Sequence, residues 1–367
     1  MSTPVKVLVV DDSPFMRYTI AKHLAADPDI VVVGSAQDGV DALSKIPALA
    51  PDVVTLDVEM PRMDGLTTLE HIMTDCPTPV VMLSSLTQRG TRTTIQALMR
   101  GAVDFVAKPT TSTDIRAVIV ELSGKIKAAA GLEGDAAAGD NARPRNGSPR
   151  ARTLSPPLPL HTTPVRPAKL GLRPFKETDP VVVIGASTGG PRALHTVMSG
   201  LPADLPAAIL IVQHMPPGFT RSLAQRLNDI SAITVQEATG GDRLALGLAL
   251  LAPGDFHMRL KKGKQIELDQ GPRRNHVRPA VDVTMETAVE TYRSNIIGVV
   301  LTGMGSDGAK GAALIKQAGG RVIAEDESTS VVYGMPRSVI EAKLADVIAP
   351  LPDVAEAIVE MVTRGRN

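Results

Sequence analysis

Short apolar runs that alternate with longer amphipathic stretches are the feature of this sequence that most constrains its fold. Five such runs occur between residues 5 and 126, and each is followed by a segment that can form a helix; they are KVLVV, IVVVGSA, DVVTLD, PVVMLS and VDFVAK. The runs are nearly continuous in apolar residues, which indicates strands buried on both faces and therefore a parallel sheet. The pattern predicts a five-stranded, doubly wound α/β domain over residues 1–126.

The same alternation resumes at residue 181, after a stretch of different composition. Residues 127–178 are rich in Pro, Gly, Ala and scattered Arg, and they predict a linker with local order near 170–175, because such a segment buries too little apolar area to offset its ordering entropy. Residues 179–367 predict a mainly parallel, doubly wound α/β domain that ends in a helix near 352–363. Shorter β-like pieces between 233 and 270 predict an antiparallel insertion, with a hairpin turn at Lys262-Gly263.

Length, charge and cysteine content narrow the class of protein. A chain of 367 residues predicts about two domains. Lys plus Arg equals Asp plus Glu, 39 each, so no overall field directs the chain to nucleic acid or to an anionic membrane. The single Cys76 excludes an internal disulfide, and no apolar run is long enough for a signal peptide or a membrane insertion. Together these features predict a soluble, cytoplasmic protein.

Polar side chains follow the predicted strands of the N-terminal domain at the edge where parallel strands end. Because ligands gather at that edge, we expect these side chains to converge. The set consists of Asp11, Asp12, Asp57, Ser84 and Lys108. Several carboxylates in one place repel one another unless a hard dication joins them, and oxygen ligands suit Mg²⁺. Any one of these residues could be a solvated turn residue, but the whole set predicts a cation site beside a lysine that can pair with an added anion.

The stretch VVVIGASTGGPRAL, residues 181–194, places a glycine-rich turn between a strand and a helix. Its G-A-S-T-G segment fits the G-x-S-x-G spacing that projects a serine hydroxyl above a sheet edge. The rival is a dinucleotide-binding loop, which requires G-x-G-x-x-G and an acidic residue after the next strand. Here Ser187 stands in place of the middle glycine, and the next strand ends in His214. This difference favours a nucleophile and a base over a ribose-binding site.

A serine nucleophile needs a base, and the base needs a third group that orients it. His214 ends the second strand of the domain and Asp307 follows a later strand, so both should reach the sheet edge that carries the serine. The order Ser, His, Asp differs from that of the α/β-hydrolases, so the likeness to their nucleophile turn is local. Each residue also has a structural interpretation, and Asp307 could cap the next helix. His195 is interpreted as structural, whereas His257 and His276 lie in loops and stay open.

Residues 5–126 resemble a response-regulator receiver domain in the motifs VVDDSPFMR, LDVEMPRMDG, MLSS and FVAKP. The resemblance implies that Asp57 is phosphorylated by a histidine kinase. It also implies Mg²⁺ held by Asp12, Asp57 and the backbone carbonyl of Glu59, with Asp11 helping through water. In the implied switch, Lys108 pairs with the phosphoryl group. The negative charge of that group is the physical trigger.

Two further receiver positions follow from the same resemblance. The hydroxyl of Ser84 would move toward the phosphoryl group, and Phe105 occupies the aromatic switch position of the family.

Six ordered motifs of the second half resemble the chemotaxis protein-glutamate methylesterase (CheB) family; they are IGASTGGPRAL, VQHMPPGFT, LAPGDFHM, HVRPAVDV, VLTGMGSDGAKG and VVYGMPR. The resemblance implies hydrolysis of γ-glutamyl methyl esters on chemoreceptor cytoplasmic domains, deamidation of receptor glutamines, and no cofactor for the esterase. Ser187 would be the nucleophile, His214 the base and Asp307 its orienting group. The backbone N–H groups of Thr188 and Gly189 are candidate oxyanion donors. An unphosphorylated receiver domain would block the esterase.

Two other functions stay open at this point. A nucleotide-binding oxidoreductase would use the glycine turn of the second domain, although the acidic ribose partner is missing. A non-enzymatic scaffold would gate protein binding through a degenerate esterase fold, although the three candidate catalytic side chains are present. The linker is longer and richer in proline than in compact family members, which weakens the expectation of closed interdomain packing, because a long tether lowers the effective concentration.

Overall fold

A computed structural model describes residues 3–109, 115–132, 168–261 and 265–364. The chain divides into two compact units, Met1–Leu160 and His161–Asn367. Within the described residues, each unit has its own sheet and its own hydrophobic core. None of the helices in those ranges has the length and the apolar character that crossing a bilayer would take.

The N-terminal unit contains the five parallel strands that the alternation predicts. The strands are β1 (Val5–Val10), β2 (Ile30–Ala36), β3 (Val53–Asp57), β4 (Val80–Ser84) and β5 (Asp104–Ala107), and the helices are α1 (Pro14–Leu24), α2 (Gly39–Leu49), α3 (Gly65–Asp75), α4 (Gln88–Met99) and α5 (Ile115–Ala129). The sheet order is β2-β1-β3-β4-β5, with every neighbouring pair parallel. All residues of β3 and β4 are buried, as expected for central strands covered by helices on both faces.

The C-terminal unit is a larger α/β sheet with two small antiparallel pairs. Its strands are β6 (Arg173–Pro174), β7 (Val181–Ala186), β8 (Ala208–Gln213), β9 (Thr234–Glu237), β10 (Ala245–Leu246), β11 (Leu248–Leu251), β12 (His257–Lys261), β13 (Gln265–Asp269), β14 (Ile296–Val300), β15 (Arg321–Glu325) and β16 (Val347–Ala349). Its helices are α6 (Gly190–Gly200), α7 (Phe219–Ile230), α8 (Val281–Tyr292), α9 (Ala309–Gln317), α10 (Met335–Glu341) and α11 (Val354–Arg364).

The main sheet has the order β16-β15-β14-β7-β8-β11-β9, and all of its pairs are parallel. Strand β7 lies between β8, the next strand along the chain, and β14, which comes much later. The strand order therefore reverses between β7 and β14. In open parallel sheets such a reversal opens a crevice beyond the carboxyl ends of the strands, where ligands bind.

The region between residues 233 and 270 differs from the prediction of one antiparallel insertion. Strands β9 and β11 join the main sheet in parallel, and only β12 and β13 form an antiparallel hairpin. The reason is burial: all four residues of β11, LALL, are buried, as in a central parallel strand. The predicted Lys262-Gly263 turn lies outside the described residues, although Lys261 and Gln265 on either side of it pair as expected.

Ordered elements extend past both predicted ends of the linker. Helix α5 continues to Ala129, because Leu122 and Ile126 on its inner face pack into the core. Strand β6 pairs with β10, and the Phe175 ring packs edge-on against Tyr292 at a centroid distance of 5.7 Å. The domain boundaries stay predictions, since residues 133–167 lie outside the described part of the chain.

The backbone of β7 passes so close to α8 at Gly185 that a side chain does not fit. A Cβ there would lie 2.5 and 2.6 Å from the two methyl carbons of Val281, which is fully buried. We expect Gly185→Ala to lower the free energy of unfolding by about 1–3 kcal/mol, the usual cost of overpacking. Urea unfolding measures this, with Gly171→Ala as the control because a Cβ there meets nothing within 4 Å. Equal stability of the two variants would contradict the prediction.

Candidate phosphoacceptor and hydrolase sites

Three aspartates converge at the carboxyl edge of the N-terminal sheet, as the strand ends predict. Carboxylate oxygens of Asp11, Asp12 and Asp57 lie within 4.8 Å of one another. Asp11 and Asp57 are buried, whereas Asp12 is exposed to solvent. This oxygen-only set fits the donors that Mg²⁺ prefers, with room for retained waters on the exposed side. The Glu59 N–H lies 3.4 Å from Asp57 Oδ1, which places Glu59 beside the cluster, and the role of its carbonyl stays a prediction.

Lys108 lies against two of these aspartates. Its Nζ is 2.8 Å from Asp11 Oδ2 and 2.7 Å from Asp57 Oδ2. Burial raises the pKa of Asp57 to about 6, and the positive charge of Lys108 offsets only part of that effect. Burial alone would lower the pKa of Lys108, but the charge of Asp57 and the contacts with both aspartates raise it. The lysine therefore stays charged beside the carboxylate that would carry a phosphoryl group.

The two predicted switch residues lie near the ends of β4 and β5. The buried Ser84 hydroxyl accepts a hydrogen bond from Thr94 Oγ1 at 2.6 Å, and its oxygen lies 3.2 Å from the Ser85 carbonyl oxygen. It is thus held by α4 and its own loop. Phe105 is only 2% exposed, and the Lys125 ammonium lies 5.3 Å from its ring centroid. Their switching roles stay predictions.

The carboxyl edge of the second sheet brings together the strand ends that carry Ser187, His214 and Asp307. The first two follow the adjacent strands β7 and β8, and the third lies in the loop between β14 and α9. The His214 N–H donates to the Ala186 carbonyl at 3.1 Å, so the histidine lies beside the residue that precedes the serine. His214 Nε2 and Asp307 Oδ2 are 2.7 Å apart. The structure therefore joins the predicted base to its predicted orienting group.

The serine hydroxyl is less constrained than the histidine and the aspartate. Ser187 is partly exposed, and its hydroxyl forms no hydrogen bond within the described residues. Contacts between nucleophile and base often tighten only in the complex with substrate. Because Asp307 contacts Nε2 of His214, Nδ1 is the ring nitrogen that the aspartate leaves available. This assignment is the reverse of the trypsin arrangement, in which the aspartate holds Nδ1.

Backbone contacts hold the nucleophile turn in place. The Ser187 N–H donates to the Thr302 carbonyl at 3.0 Å, and Gln213 Nε2 donates to the Ser187 carbonyl at 2.9 Å. Gly189 has φ +79°, and a Cβ there would lie 2.7 Å from the Cβ of Val331, so this position favours glycine. Helix α6 begins directly after this residue. The predicted oxyanion donors at 188 and 189 therefore lie at a helix N-terminus, where backbone N–H groups attract negative charge.

Two residues beside the predicted acid have no role in the sequence-based prediction. Asp307 accepts hydrogen bonds from Asn275 Nδ2 at 3.0 Å, the Val281 N–H at 2.6 Å and the Asp282 N–H at 3.1 Å. Asp282 is itself fully buried. The available signal was an acid inside the apolar run PAVDV, because an aspartate there must be buried and hydrogen-bonded.

The two neighbouring carboxyls have opposite pKa shifts. Burial would raise the pKa of Asp307, but the hydrogen bond and charge of His214 and two backbone N–H groups lower it. Burial, followed by the charge of Asp307, raises the pKa of Asp282. Ionisation is therefore favoured at Asp307, the member of the pair that contacts His214, relative to Asp282.

Three other histidines in the described part of the second unit have different surroundings. Burial and the charges of Arg226 and Arg192 lower the pKa of His195 to about 4, so it is neutral near pH 7. His257 is the first residue of β12 rather than a loop residue as predicted, and it is buried, with Nε2 3.0 Å from the Pro272 carbonyl. His276 is exposed in a turn. Within the described ranges, none of the three forms a hydrogen bond with Ser187, His214 or Asp307.

The buried carboxyl group of Glu325, at the end of β15, lies at the carboxyl edge of the same sheet. Burial raises the pKa of Glu325 to about 7 from its ordinary 4.5, although the N–H of Thr302 and the hydroxyl of Thr329 donate to it. Between these two values the folded protein keeps a proton that the unfolded chain has lost. The free energy of unfolding contributed by this group therefore falls as pH rises from 4.5 to about 7.

We expect Glu325→Gln to flatten this pH dependence, since a neutral amide retains an acceptor for Thr302 and has no proton to lose. Above pH 7 the variant should be more stable than wild type by up to ~3 kcal/mol, the equivalent of the pKa difference. Urea unfolding at pH 5 and pH 8 tests this. A wild-type and variant pair that lose the same stability between the two pH values would refute it.

Comparison with known proteins shows to which family the whole chain is related. A model of the response regulator receiver domain matches residues 7–120, and a model of the CheB methylesterase matches residues 182–358. A Symbiobacterium thermophilum protein named protein-glutamate methylesterase/protein-glutamine glutaminase is 51% identical over 99% of this chain and 98% of its own length. The chain belongs to the CheB methylesterase family. This membership confirms the predicted resemblance, and it assigns the glycine turn to a family of hydrolases rather than to a dinucleotide-binding protein.

Other CheB relatives match in the same way. A Thermotoga maritima protein of the same name is 46% identical over 98% of each chain. The crystal structure of the Thermotoga maritima CheB methylesterase catalytic domain is 51% identical, with TM-score 0.49, and covers 50% of this chain and 98% of that one. The response regulator domain of Thermotoga maritima CheB is 46% identical, with TM-score 0.33, and covers 36% of this chain and 99% of that one.

Proposed function

We propose that this chain is a receptor methylesterase and glutamine deamidase whose activity is controlled by phosphorylation. It hydrolyses γ-glutamyl methyl esters on chemoreceptor cytoplasmic domains to glutamate and methanol, and it converts receptor glutamines to glutamate and ammonia. The observation that carries this proposal is the 2.7 Å contact between His214 and Asp307 at the sheet edge where a G-x-S-x-G turn presents Ser187. Membership of the CheB family supports the same chemistry.

The reaction is an acyl transfer in two halves. The Ser187 hydroxyl attacks the ester carbonyl while His214 Nδ1 accepts its proton, and the tetrahedral intermediate collapses as the imidazolium protonates the departing methanol. Water then attacks the acyl-enzyme with His214 again accepting a proton. The carbon–oxygen bond to the serine breaks, the serine regains its proton, and the receptor carries a glutamate. With a glutamine substrate the first leaving group is ammonia.

Asp307 sets the protonation state of the base. Its lowered pKa keeps it ionised near neutral pH, so His214 holds its proton on Nε2 and leaves Nδ1 free to accept one. The buried carboxylate also stabilises the imidazolium that forms in each half-reaction. The backbone N–H groups of Thr188 and Gly189 are the proposed donors to the developing oxyanion. They belong to the start of α6, where the helix dipole adds to their effect.

The receiver domain supplies control. Asp57 is the proposed phosphoacceptor, the carboxylates of Asp12 and Asp57 and the Glu59 carbonyl would hold Mg²⁺, and Lys108 would pair with the new phosphoryl group. When bound, the cation neutralises negative charge on the phosphoryl oxygens during transfer. The Lys108 contact with Asp57 means that phosphorylation replaces an ion pair already present with a stronger one. Ser84 then leaves its Thr94 partner for the phosphoryl group, and Phe105 follows.

The proposed partners are chemoreceptor cytoplasmic domains as substrate and a chemotaxis histidine kinase as phosphoryl donor. The experiment that tests the hydrolase is methanol release from methylated receptor membranes by wild-type protein supplied with Mg²⁺ and a phosphoryl donor, compared with Ser187→Ala under the same conditions. Methanol release that depends on Ser187 supports the proposal. No release by wild-type protein, or equal release by both, would overturn it.

A further inference from the structure

Two helices lie beside the candidate active site, and the N-terminal N–H groups of each donate hydrogen bonds to a carboxylate at the start of the other. Asp307, which precedes α9, accepts the first two N–H groups of α8, those of Val281 and Asp282. Asp282, in the first turn of α8, accepts the N–H groups of Gly308 at 2.9 Å and Gly311 at 2.8 Å, at the start of α9. Each carboxylate therefore satisfies N–H groups that the other's helix leaves without an internal partner. The position of Asp307 is thus tied to the relative placement of two helices.

One amide group bridges the two carboxylates. Asn275 Nδ2 donates to Asp282 Oδ2 and to Asp307 Oδ1, both at 3.0 Å. With this amide in place, Asp307 Oδ1 has two donors, and Oδ2 has the Val281 N–H and His214 Nε2. All four directions in which the carboxylate accepts are then used. The carboxylate cannot rotate without breaking several of these bonds.

A tight turn places the Asn275 amide between the two carboxylates. Arg274 and Val277 exchange backbone hydrogen bonds of 3.1 and 3.0 Å, and the two residues between them have left-handed φ values, 51° for Asn275 and 64° for His276. This is the geometry of a two-residue hairpin turn with both central residues at positive φ, which favours Asn and Gly. His276 is exposed and lies in the same turn, but it forms no hydrogen bond to the carboxylates within the described residues.

From these contacts we infer that Asn275 and Asp282 are positioning residues, which hold the Asp307 carboxylate so that Oδ2 faces His214. This inference rests on the proposed esterase function. The catalytic unit is then five side chains: Ser187, His214 and Asp307 act in the reaction, and the other two act through Asp307. The raised pKa of Asp282 and the lowered pKa of Asp307 agree with it, because ionisation is then favoured at the carboxylate that His214 contacts.

Asn275→Gly distinguishes the contribution of the amide from that of the turn. Glycine favours the left-handed backbone at this position, so the turn is retained and only the amide is lost. We expect kcat for methanol release to fall about tenfold, the effect of one hydrogen bond to a charged group, with KM for methylated receptor unchanged and with a lower unfolding midpoint in a protein that still folds. His276→Gly is the matched control in the same turn and should keep the wild-type kcat. Equal kcat in Asn275→Gly and wild type, or equal losses in both glycine variants, would overturn the inference.

Two further variants test the direction of the hydrogen bonds. Asn275→Asp keeps the size and the turn preference of the residue but replaces two donated bonds with repulsion from both carboxylates, so kcat should fall below that of Asn275→Gly. Asp282→Asn keeps the shape of the buried side chain but turns an amide donor toward Asn275 or toward the α9 N–H groups, and kcat should fall without a change in KM. A wild-type kcat in either folded variant contradicts the inference.

A spectroscopic signal tests the positioning without any substrate. The proton between His214 Nε2 and Asp307 Oδ2 should give a low-field proton NMR resonance that disappears in His214→Ala. In Asn275→Gly this resonance should move, and in His276→Gly it should stay. If wild-type protein releases no methanol, the proposed function fails while this measurement still decides the positioning. An unmoved resonance in Asn275→Gly would overturn the inference even if the esterase is active.

Discussion

Ser187→Ala is expected to lower kcat for methanol release from methylated receptors by about 10⁴- to 10⁶-fold, the range seen when single members of a Ser-His-Asp unit are removed. The physical reason is that Ser187 is the side chain proposed to form the acyl-enzyme, so without its hydroxyl only binding and oxyanion stabilisation remain. The measurement is release of labelled methanol from receptor membranes at saturating substrate. Ser199→Ala, at an exposed serine of the same helix α6, is the control and should keep the wild-type rate.

The loss of rate in Ser187→Ala should not add to the loss caused by removing the base. His214→Ala alone should cost about as much as Ser187→Ala, and the double variant no more than either, because the two side chains act as one unit. The same variants should lose glutamine deamidation in parallel, since both reactions pass through the same acyl-enzyme. Retention of more than about a hundredth of the wild-type rate in Ser187→Ala would remove the nucleophile assignment.

Phosphorylation of the receiver should raise the esterase rate by about 5- to 150-fold, which corresponds to a coupling free energy of about 1–3 kcal/mol between two sites of one protein. Asp57→Ala should abolish this activation and leave the unphosphorylated rate unchanged, because the variant lacks the carboxylate that accepts the group. Methanol release is measured with and without a phosphoryl donor, in the presence of Mg²⁺. Asp75→Ala, at an exposed aspartate on α3 of the same unit, is the control and should be activated as wild type is.

Two different outcomes of that experiment would contradict two separate parts of the prediction. Full activation of Asp57→Ala would show that another residue accepts the phosphoryl group. An unchanged wild-type rate after phosphorylation, with incorporation of phosphate verified, would show that the receiver does not control the esterase in this chain. The long proline-rich stretch 127–178 makes this second outcome informative, since coupling through a long tether weakens with its length.

Local patterns were enough for the strands and for the side chains at their ends. Buried parallel strands are nearly continuous runs of Val, Ile and Leu, so all five strands of the first sheet were evident, as were β7, β8, β14 and β15 of the second. The antiparallel hairpin of β12 and β13 was predicted, but β11 was grouped with it, because short runs carry no mark of which neighbour they pair with. Pairing depends on contacts between segments distant in sequence.

The candidate site, like the fold, was predicted only in part from the sequence. The G-x-S-x-G spacing identified Ser187, and the positions after two other strands identified His214 and Asp307, because parallel strands all end at one edge. Nothing in the spacing showed that Asp307 takes Nε2 rather than Nδ1 of His214, or that the Ser187 hydroxyl is left without a hydrogen bond within the described residues. Ring orientation depends on packing around the imidazole.

The sequence determined the fold class and the family and predicted the reactive side chains, because these depend on hydrophobic periodicity and on motifs that lie within short segments. The tertiary structure alone decided how Asp307 is held, through Asn275 on a turn and Asp282 on the neighbouring helix. Those contacts join segments about 25 to 32 residues apart in the chain. Hydrogen bonds of this kind depend on the distance and direction between two folded elements, which no local pattern of residues encodes.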